Sequence, residues 1–380
     1  MAANTQHARP WKLGFRHRRW MIGGVIAALA LTAGCSNRDP QTADNSGAGA
    51  LTIVDQRGRT ITLDGPARTV AFTVMPAPSI FAAVDRSYDR IVGINQSTRV
   101  ANRGGMFATM FPASADTTTV AGSDFVPNVE TLLKLRPDVV VQWGDRGASV
   151  TEPIESAGFP VVGLKYGTQE DLEQWITLFS RIAGKPDRGE QLVAWQRSEQ
   201  AEMRTRVSGQ QGHRPRAMIL SRAGDTYSTT TAEGYDGFQF DLVGADLVTK
   251  GFVSDSGTVG PEQILSWDPE VIMLSGFDES TPADIYSDPR LSGVSAVRNK
   301  RVYKTPLGAY RWQVPSAESP LMWQWMNRIL YTGAHDGQLR DDIRAAFDDL
   351  FAYRISDDEI DQVLRLDLNK NAANYDQFLR

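Results

Sequence analysis

A short phrase occurs twice in this chain, and it constrains the fold more than any other feature. Glu130-Thr-Leu-Leu-Lys-Leu-Arg-Pro-Asp-Val-Val140 returns 132 residues later as Glu262-Gln-Ile-Leu-Ser-Trp-Asp-Pro-Glu-Val-Ile272. Glutamate, apolar pair, proline, acid and β-branched run all fall in register. Proline disfavours the α conformation in the residue before it, so each copy predicts a helix closed at X-Pro. The run that follows suits a strand buried on both faces. Two like α/β units this far apart imply two similar lobes, and clefts between lobes are where ligands bind. The alternative is a chance match, because helix, proline and strand follow one another in many α/β proteins.

The amino terminus predicts where such lobes reside. Residues 1–19 carry Arg9, Lys12, Arg16, Arg18 and Arg19 and no acid, and an apolar run from Trp20 to Ala33 ends in Leu31-Thr-Ala-Gly-Cys35. A basic stretch, a short apolar core and small residues form a secretory signal, with 1–34 as the removed segment. The apolar run is shorter than the roughly 20 residues that span a bilayer as a helix. An uncleaved anchor is the alternative, and Arg18-Arg19 leaves a twin-arginine route open. Leu-Thr-Ala-Gly-Cys resembles a bacterial lipobox, with Thr32 where leucine is commoner. Cys35 is the sole cysteine of 380 residues, so no internal disulfide can form. A thioether-linked diacylglycerol on Cys35 accounts for its position, and two acyl chains suffice for stable anchoring.

Loss of 1–34 leaves 35 basic against 45 acidic residues, a net charge of −10. An acidic body argues against a nucleic-acid partner, which would require a basic face. Residues 35–50 are small and polar, a flexible tether beyond the lipidated cysteine. Residues 51–185 form the expected first lobe, 186–208 a connecting helix and 209–380 a second lobe with a helical tail. Leu51–Val54 and Thr60–Leu63 predict a hairpin. Strands are expected at Val70–Val74, Ile91–Asn95, Val139–Trp143 and Val161–Leu164, then at Ala217–Ser221, Val271–Ser275 and Val302–Thr305. Helices between them argue for mostly parallel sheets. Pro186–Val207 predicts one helix of roughly 33 Å, read as a strut between the lobes, with a further surface helix as the alternative. Ser356 and Glu359 form the capping box of a helix near Asp357–Arg365.

Together these features resemble the class III substrate-binding proteins of ABC importers, the group that captures ferric siderophores, haem and cobalamin. The resemblance covers essentially 51–380. It rests on the paired phrases and on Leu51-Thr-Ile-Val-Asp through Pro66-Ala-Arg-Thr-Val-Ala71. It implies two Rossmann-like lobes joined by one long helix, and a lipid-anchored protein on the extracytoplasmic face of the cell membrane. The glutamate opening each phrase, Glu130 and Glu262, would pair with arginines of a dimeric permease. Such exposed pairs contribute only roughly 0–1 kcal/mol each but fix orientation. A glutamate stabilised by a helix N-terminus is the structural alternative, and both can hold.

The resemblance draws ligand contacts from loops at strand ends. In the first lobe these are Met75-Pro-Ala77, a Gln96–Phe111 loop and Trp143-Gly-Asp-Arg146. In the second they are Arg222 through Tyr227, a turn at Gly234-Tyr235-Asp236, and Tyr310-Arg311-Trp312. Arginine suits carboxylates and oxyanions, and tyrosine and tryptophan suit the face of a bulky chelate. Arg311 leads the candidates and Arg222 follows. Met322, Trp323, Trp325 and Met326 have the spacing of a helix core. The stretch from Pro315 to Trp325 resembles a longer-tailed branch of the family, some of whose members are linked to oxyanions or nickel complexes.

Of four histidines, His7 and His17 leave with the signal, and His213 and His335 fall in connections. The cleft thus lacks imidazole and thiolate for a bare zinc ion, and no resident metal or cofactor is expected. Haem on Tyr227, Tyr235 or Tyr310 remains open. A pre-formed chelate, a ferric siderophore first, fits better. Known hydrolase, phosphate-loop and metalloprotease motifs are missing, so the chain is read as a binder and not an enzyme. A carboxylate-based glycosidase would leave the duplication unexplained, and an orphan sensor without a permease is the remaining alternative. The stiff connector predicts a closure of only a few degrees.

Overall fold

The computed structural model describes residues 49–380 except 211, 232, 253, 255, 256 and 332–337. The signal, the lipobox with Cys35, and His335 lie outside the described residues. The hairpin forms as expected from β1 (Leu51–Val54) and β2 (Thr60–Leu63), with Leu51 opposite Leu63. Its turn is sewn to the first sheet: Gly163 N donates to Asp55 at 2.8 Å and Arg57 donates to Val161 O at 2.8 Å.

In the first lobe, β3 (Val70–Phe72), β4 (Ile91–Asn95), β5 (Thr119–Ala121), β6 (Val139–Trp143) and β7 (Val161–Leu164) make a parallel sheet ordered β5-β4-β3-β6-β7. The order reverses between β3 and β6, and in open α/β sheets such a switch point opens a crevice beyond the strands' carboxyl ends. The crossovers are α1 (Ala77–Asp85), α2 (Gln96–Gly104), α3 (Met106–Met110), α4 (Val129–Leu135), α5 (Ala148–Ser156) and α6 (Gln169–Ile182). The stretch expected as a loop, 96–111, is thus mostly helical. Asn95 accepts from Ser97 N at 2.8 Å and starts α2, whose buried face is only Thr98, Ala101 and Asn102. So thin an apolar stripe gives little periodic signal.

The strut is α7 (Pro186–Gly209), 24 residues or about 36 Å. Proline opens it, where its missing N–H is no loss. Gln196 sits at its midpoint and joins the lobes, accepting from Gln169 at 2.6 Å and donating to Ser316 O at 3.1 Å.

The second lobe begins with β8 (Arg216–Ala223) and β9 (Thr226–Thr229), an antiparallel pair. It continues through β10 (Asp246–Leu247), β11 (Thr258–Val259), β12 (Val271–Leu274) and β13 (Val302–Lys304). β10, β12 and β13 run parallel to β8 in the order β10-β8-β12-β13, so a second switch point lies between β8 and β12. The helices are α8 (Tyr235–Leu242), α9 (Pro261–Trp267), α10 (Pro282–Tyr286), α11 (Ser295–Arg298), α12 (Ser319–Leu330), α13 (Leu339–Phe351), α14 (Asp357–Val363) and α15 (Leu366–Asn369). Met322, Trp323, Trp325 and Met326 on α12 are fully buried, as their spacing predicts. The Ser356–Glu359 capping box is formed.

The repeated phrase recurs in three dimensions. Leu132 and Ile264 are both fully buried, Leu133 and Leu265 both exposed. Arg136 and Asp268, each before proline, both turn left-handed, with φ of 48° and 38°. Their amides close the helices onto Leu132 O and Ile264 O. The strands that follow, β6 and β12, lie beside the central strands β3 and β8.

The tail reaches beyond the second lobe. α13 packs on α1 of the first lobe as well as on α12. Arg86 donates to Asp348 O at 3.0 Å, Arg188 of the strut pairs with Asp349 at 3.0 Å, and the Phe111 and Phe351 rings meet edge to face. No helix among the described residues is long and apolar enough to cross a membrane.

Candidate ligand cleft

Segments that follow the sheet strands of the two lobes approach each other in two places. Met106 N, at the break between α2 and α3, donates to Gly308 O at 3.3 Å. At the other, a Cβ on Gly234 would stand 3.3 Å from Gly167 O, and Gly234 has φ of +79°. Glycine suits both the left-handed backbone and the close approach.

On the first-lobe side, Arg146 lies over the Phe125 ring at 4.3 Å and over Trp143 at 4.8 Å. It makes no ion pair among the described residues. Burial lowers its pKa from the ordinary arginine value, with Asp145 and Tyr166 pulling the other way. Trp143 itself is 2 % exposed and holds Tyr166 edge-on at 5.9 Å. Tyr166, 41 % exposed, is the aromatic that the cleft presents here. Its phenol pKa is raised by burial first and then by Asp236, against the pull of Arg146. That coupling to Asp236 reaches across the lobes. Met75, just past β3, is half-buried, its carbonyl accepting from Thr98 Oγ1 at 2.8 Å.

On the second-lobe side, Arg311 donates through Nε to Gly276 O at 2.6 Å and through Nη1 to Tyr310 Oη at 3.0 Å. Its guanidinium stacks on Phe277 at 4.4 Å, and Phe277 is 47 % exposed. It too lacks a carboxylate partner among the described residues. Tyr310, Tyr235 and Trp312 are buried. Tyr235 donates to Ser319 Oγ at 2.7 Å. Glu318 accepts from Ala309 N, Tyr310 N and Trp312 Nε1 at 3.0–3.3 Å, and so shapes the loop that carries Arg311. Burial pushes its pKa up to about 7 against those donors, and burial likewise pushes Asp236 up to about 6.

The expected aromatic faces are therefore mostly one layer down. Trp143, Trp312, Tyr310 and Tyr235 tuck under the strand-end loops, while Tyr166 and Phe277 occupy the exposed layer. Both follow a predicted strand closely, which is the signal the sequence offers, and both lie outside the loops expected to contact ligand. Arg222 and Tyr227 join a different cluster. Arg222 donates to Gly224 O and Asp284 O, and Tyr227 is buried with its hydroxyl on Asp288, which Arg290 also holds at 2.7 Å. The β8–β9 hairpin places both side chains in hydrogen bonds within the second lobe.

Glu130 and Glu262 are exposed in the first turns of α4 and α9. Glu130 pairs with Lys134 at 2.7 Å, and Glu262 has no ion pair among the described residues. His213 lies at the surface, 2.6 Å from Glu270. Among the described residues no group of three or more His, Cys, Asp or Glu could hold a metal ion.

The comparisons with known proteins agree with this fold. The family model described as periplasmic binding protein matches residues 81–307. A periplasmic solute-binding protein from Veillonella parvula superposes with a TM-score of 0.77 at 30 % identity, covering 85 % of this chain and 99 % of that one. The molybdate-bound MolA of Haemophilus influenzae shares the fold, with a TM-score of 0.67 at 20 % identity over 80 % of this chain and 99 % of that one. Among curated relatives, the Fe(3+)-citrate-binding protein YfmC of Bacillus subtilis is 24 % identical over 73 % of this chain and 86 % of its own length. The chain belongs to the periplasmic binding protein family, with the two-lobed class III fold of a solute-binding protein and not that of an enzyme.

Proposed function

We propose that this chain is the lipid-anchored, extracytoplasmic receptor of an ABC importer and that its cargo is an anionic metal chelate, a ferric siderophore or ferric citrate first. The observation that carries this reading is a pair of guanidiniums, Arg146 and Arg311, one from each lobe. Each is stacked on aromatic rings and neither is closed by a carboxylate. Guanidinium binds carboxylate and oxyanion groups through paired donors, and stacking holds the fork in place before the ligand arrives. Tyr166 and Phe277 supply apolar faces beside them, so a ligand with charged edges and bulk fits the cleft. Relatives named for ferric citrate and for ferric hydroxamate support the chelate class. The same arginines also suit a bare oxyanion, and the molybdate-binding relative makes that the second reading.

Cys35 would carry the lipid. Glu130 and Glu262, at equivalent points of the two lobes, would dock the permease, so that one carboxylate on each lobe reports closure to a two-subunit partner.

Calorimetric titration of the full chain in mild detergent tests the cargo. The expected result is saturable binding of ferric dicitrate or a ferric siderophore at micromolar or tighter, weakened about tenfold or more by Arg311→Ala, since hydrogen bonds to charged groups contribute roughly 1.5–3 kcal/mol. Binding of molybdate alone would keep the receptor and replace the cargo. No binding to any of them would overturn the reading. Changing Glu130 and Glu262 together to alanine should leave affinity within about twofold and abolish uptake, a split expected of orienting charges outside the ligand site. Undiminished uptake would remove the docking role.

A further inference from the structure

Lys304 ends β13, the edge strand of the second sheet, and is only 4 % exposed. Burying an ammonium is costly unless its three donors are used, and here they are. Nζ donates to Ser275 O at 2.6 Å, to Asp278 O at 2.6 Å and to Asp278 Oδ1 at 3.5 Å. Burial lowers its pKa from the ordinary lysine value, and Asp278 opposes that. The base of the side chain is fixed as well. Asn369 of α15, fully buried, accepts from Lys304 N at 2.7 Å and donates to Lys304 O at 3.0 Å, which pairs the open edge of the strand.

What the ammonium holds is the loop past β12. The ladder between β12 and β13 ends where Thr305 N donates to Leu274 O at 3.1 Å. Beyond it the chain runs on without a neighbouring strand, and its buried carbonyls need other donors. Lys304 supplies them for Ser275 O and Asp278 O, and Arg311 for Gly276 O at 2.6 Å. Gly276 N donates in turn to Gln313. One ammonium thus bridges the carbonyls on either side of Gly276 and Phe277 and closes 275–278 into a turn. Phe277 is 47 % exposed, lies outside the hydrophobic core, and carries the Arg311 guanidinium 4.4 Å above its ring. The backbone turn, and not core packing, therefore sets where that ring stands.

We propose that Lys304 is a positioning residue for ligand capture, folding 275–278 into the turn that presents the Phe277 ring to the chelate. It touches no ligand itself and acts through Phe277. This role rests on the cleft reading above, in which Phe277 supplies an apolar face to the cargo.

Calorimetric titration of the full chain with ferric dicitrate, a ferric trihydroxamate and molybdate compares Lys304→Met, Phe277→Ala and the two combined, each with a melting curve. Methionine keeps the apolar stem and removes the donors. Lys304→Gln, which keeps an amide donor, takes its place if methionine unsettles the lobe. For the chelate that the unaltered chain binds, each single change should weaken affinity about tenfold, and the pair no more than about twofold beyond either alone, because residues acting as one unit are not additive. A lysine that only supports the fold would give the same loss with or without the Phe277 ring. Affinity within about twofold of the unaltered chain in a folded Lys304 variant, or losses that add in full, would overturn the positioning role and leave the receptor standing. So would an unaltered chain that takes molybdate and neither chelate, since a bare oxyanion leaves the aromatic face unused. No binding of any of the three would sink the receptor reading, and this role with it.

Discussion

The two lobes share a scaffold and differ at its rims. In both, a seven-residue helix buries one aliphatic side chain, turns left-handed before proline and enters a strand beside the sheet's centre. At the cleft the likeness stops. The first lobe contributes one unpaired arginine, Arg146, on a Phe125–Trp143 platform. The second contributes Arg311 from the loop after β13, stacked on Phe277. Packing rules act on every α/β unit alike, whereas loops are released from them, so duplication preserves the one and frees the other.

Truncating the paired buried residues is the strongest test of equivalence. Leu132→Ala and Ile264→Ala should each cost about 2–5 kcal/mol in denaturant unfolding, because both side chains are fully enclosed. If the two copies are equal supports, the losses lie within about 1 kcal/mol of each other, a gap no larger than ordinary site-to-site variation. A wider gap would break the comparison.

The lobes should also differ in pH dependence. Glu318, beneath the Arg311 loop, has its pKa raised by burial from 4.5 to about 7. The fold disfavours its ionised form, so stability is greatest below pH 4.5, falls as pH rises towards 7 and then levels. In the first lobe burial acts upward on Glu155, but hydrogen bonds from Arg57 and Arg59 overcome it and lower the pKa. Its contribution is present above pH 4.5 and fades as pH falls below that. Glu318→Gln should flatten the decline between pH 4.5 and 7, and Glu155→Gln the acid limb, both read from unfolding midpoints. An unaltered slope in Glu318→Gln would remove this difference between the lobes.

Capping boxes offer a smaller test. Thr168 caps α6 in the first lobe and Thr281 caps α10 in the second, each accepting from the N3 amide. Alanine at either should cost about 1 kcal/mol. The smallest effect belongs to Lys134→Ala. It releases Glu130 from an exposed i,i+4 pair, costs no more than about 0.5 kcal/mol and makes Glu130 as free as Glu262. A larger loss would mean that Lys134 supports more than its pair.

The repeat, the parallel strands of both sheets and the strut are legible in the residues because each carries a strong period or a proline stop. Val139–Trp143 and Val161–Leu164 coincide with β6 and β7 to the residue. The short elements are less legible. α2 buries too few side chains to show a stripe, and β10 and β11, of two residues each, carry no pattern at all. Arg311 lies in the loop past β13, as its place after a predicted strand implies. Trp143 and Trp312 illustrate the limit, because a strand-end aromatic can face ligand or core, and a neighbouring loop decides which.

The tail's return to the first lobe has a kinetic side. α13 follows every strand of both sheets in chain order, yet it covers α1 near the start of the first lobe, and Arg86 meets Asp348 across 262 residues. Contacts of such separation close slowly, because a long loop must be ordered before they form. The first lobe can assemble its sheet early, but the apolar flank of α1 and Phe111 stays open to water until 339–351 arrive. A nascent chain held short of that point would carry a finished sheet and an unfinished surface, a state prone to sticking to others and well matched to a holding chaperone.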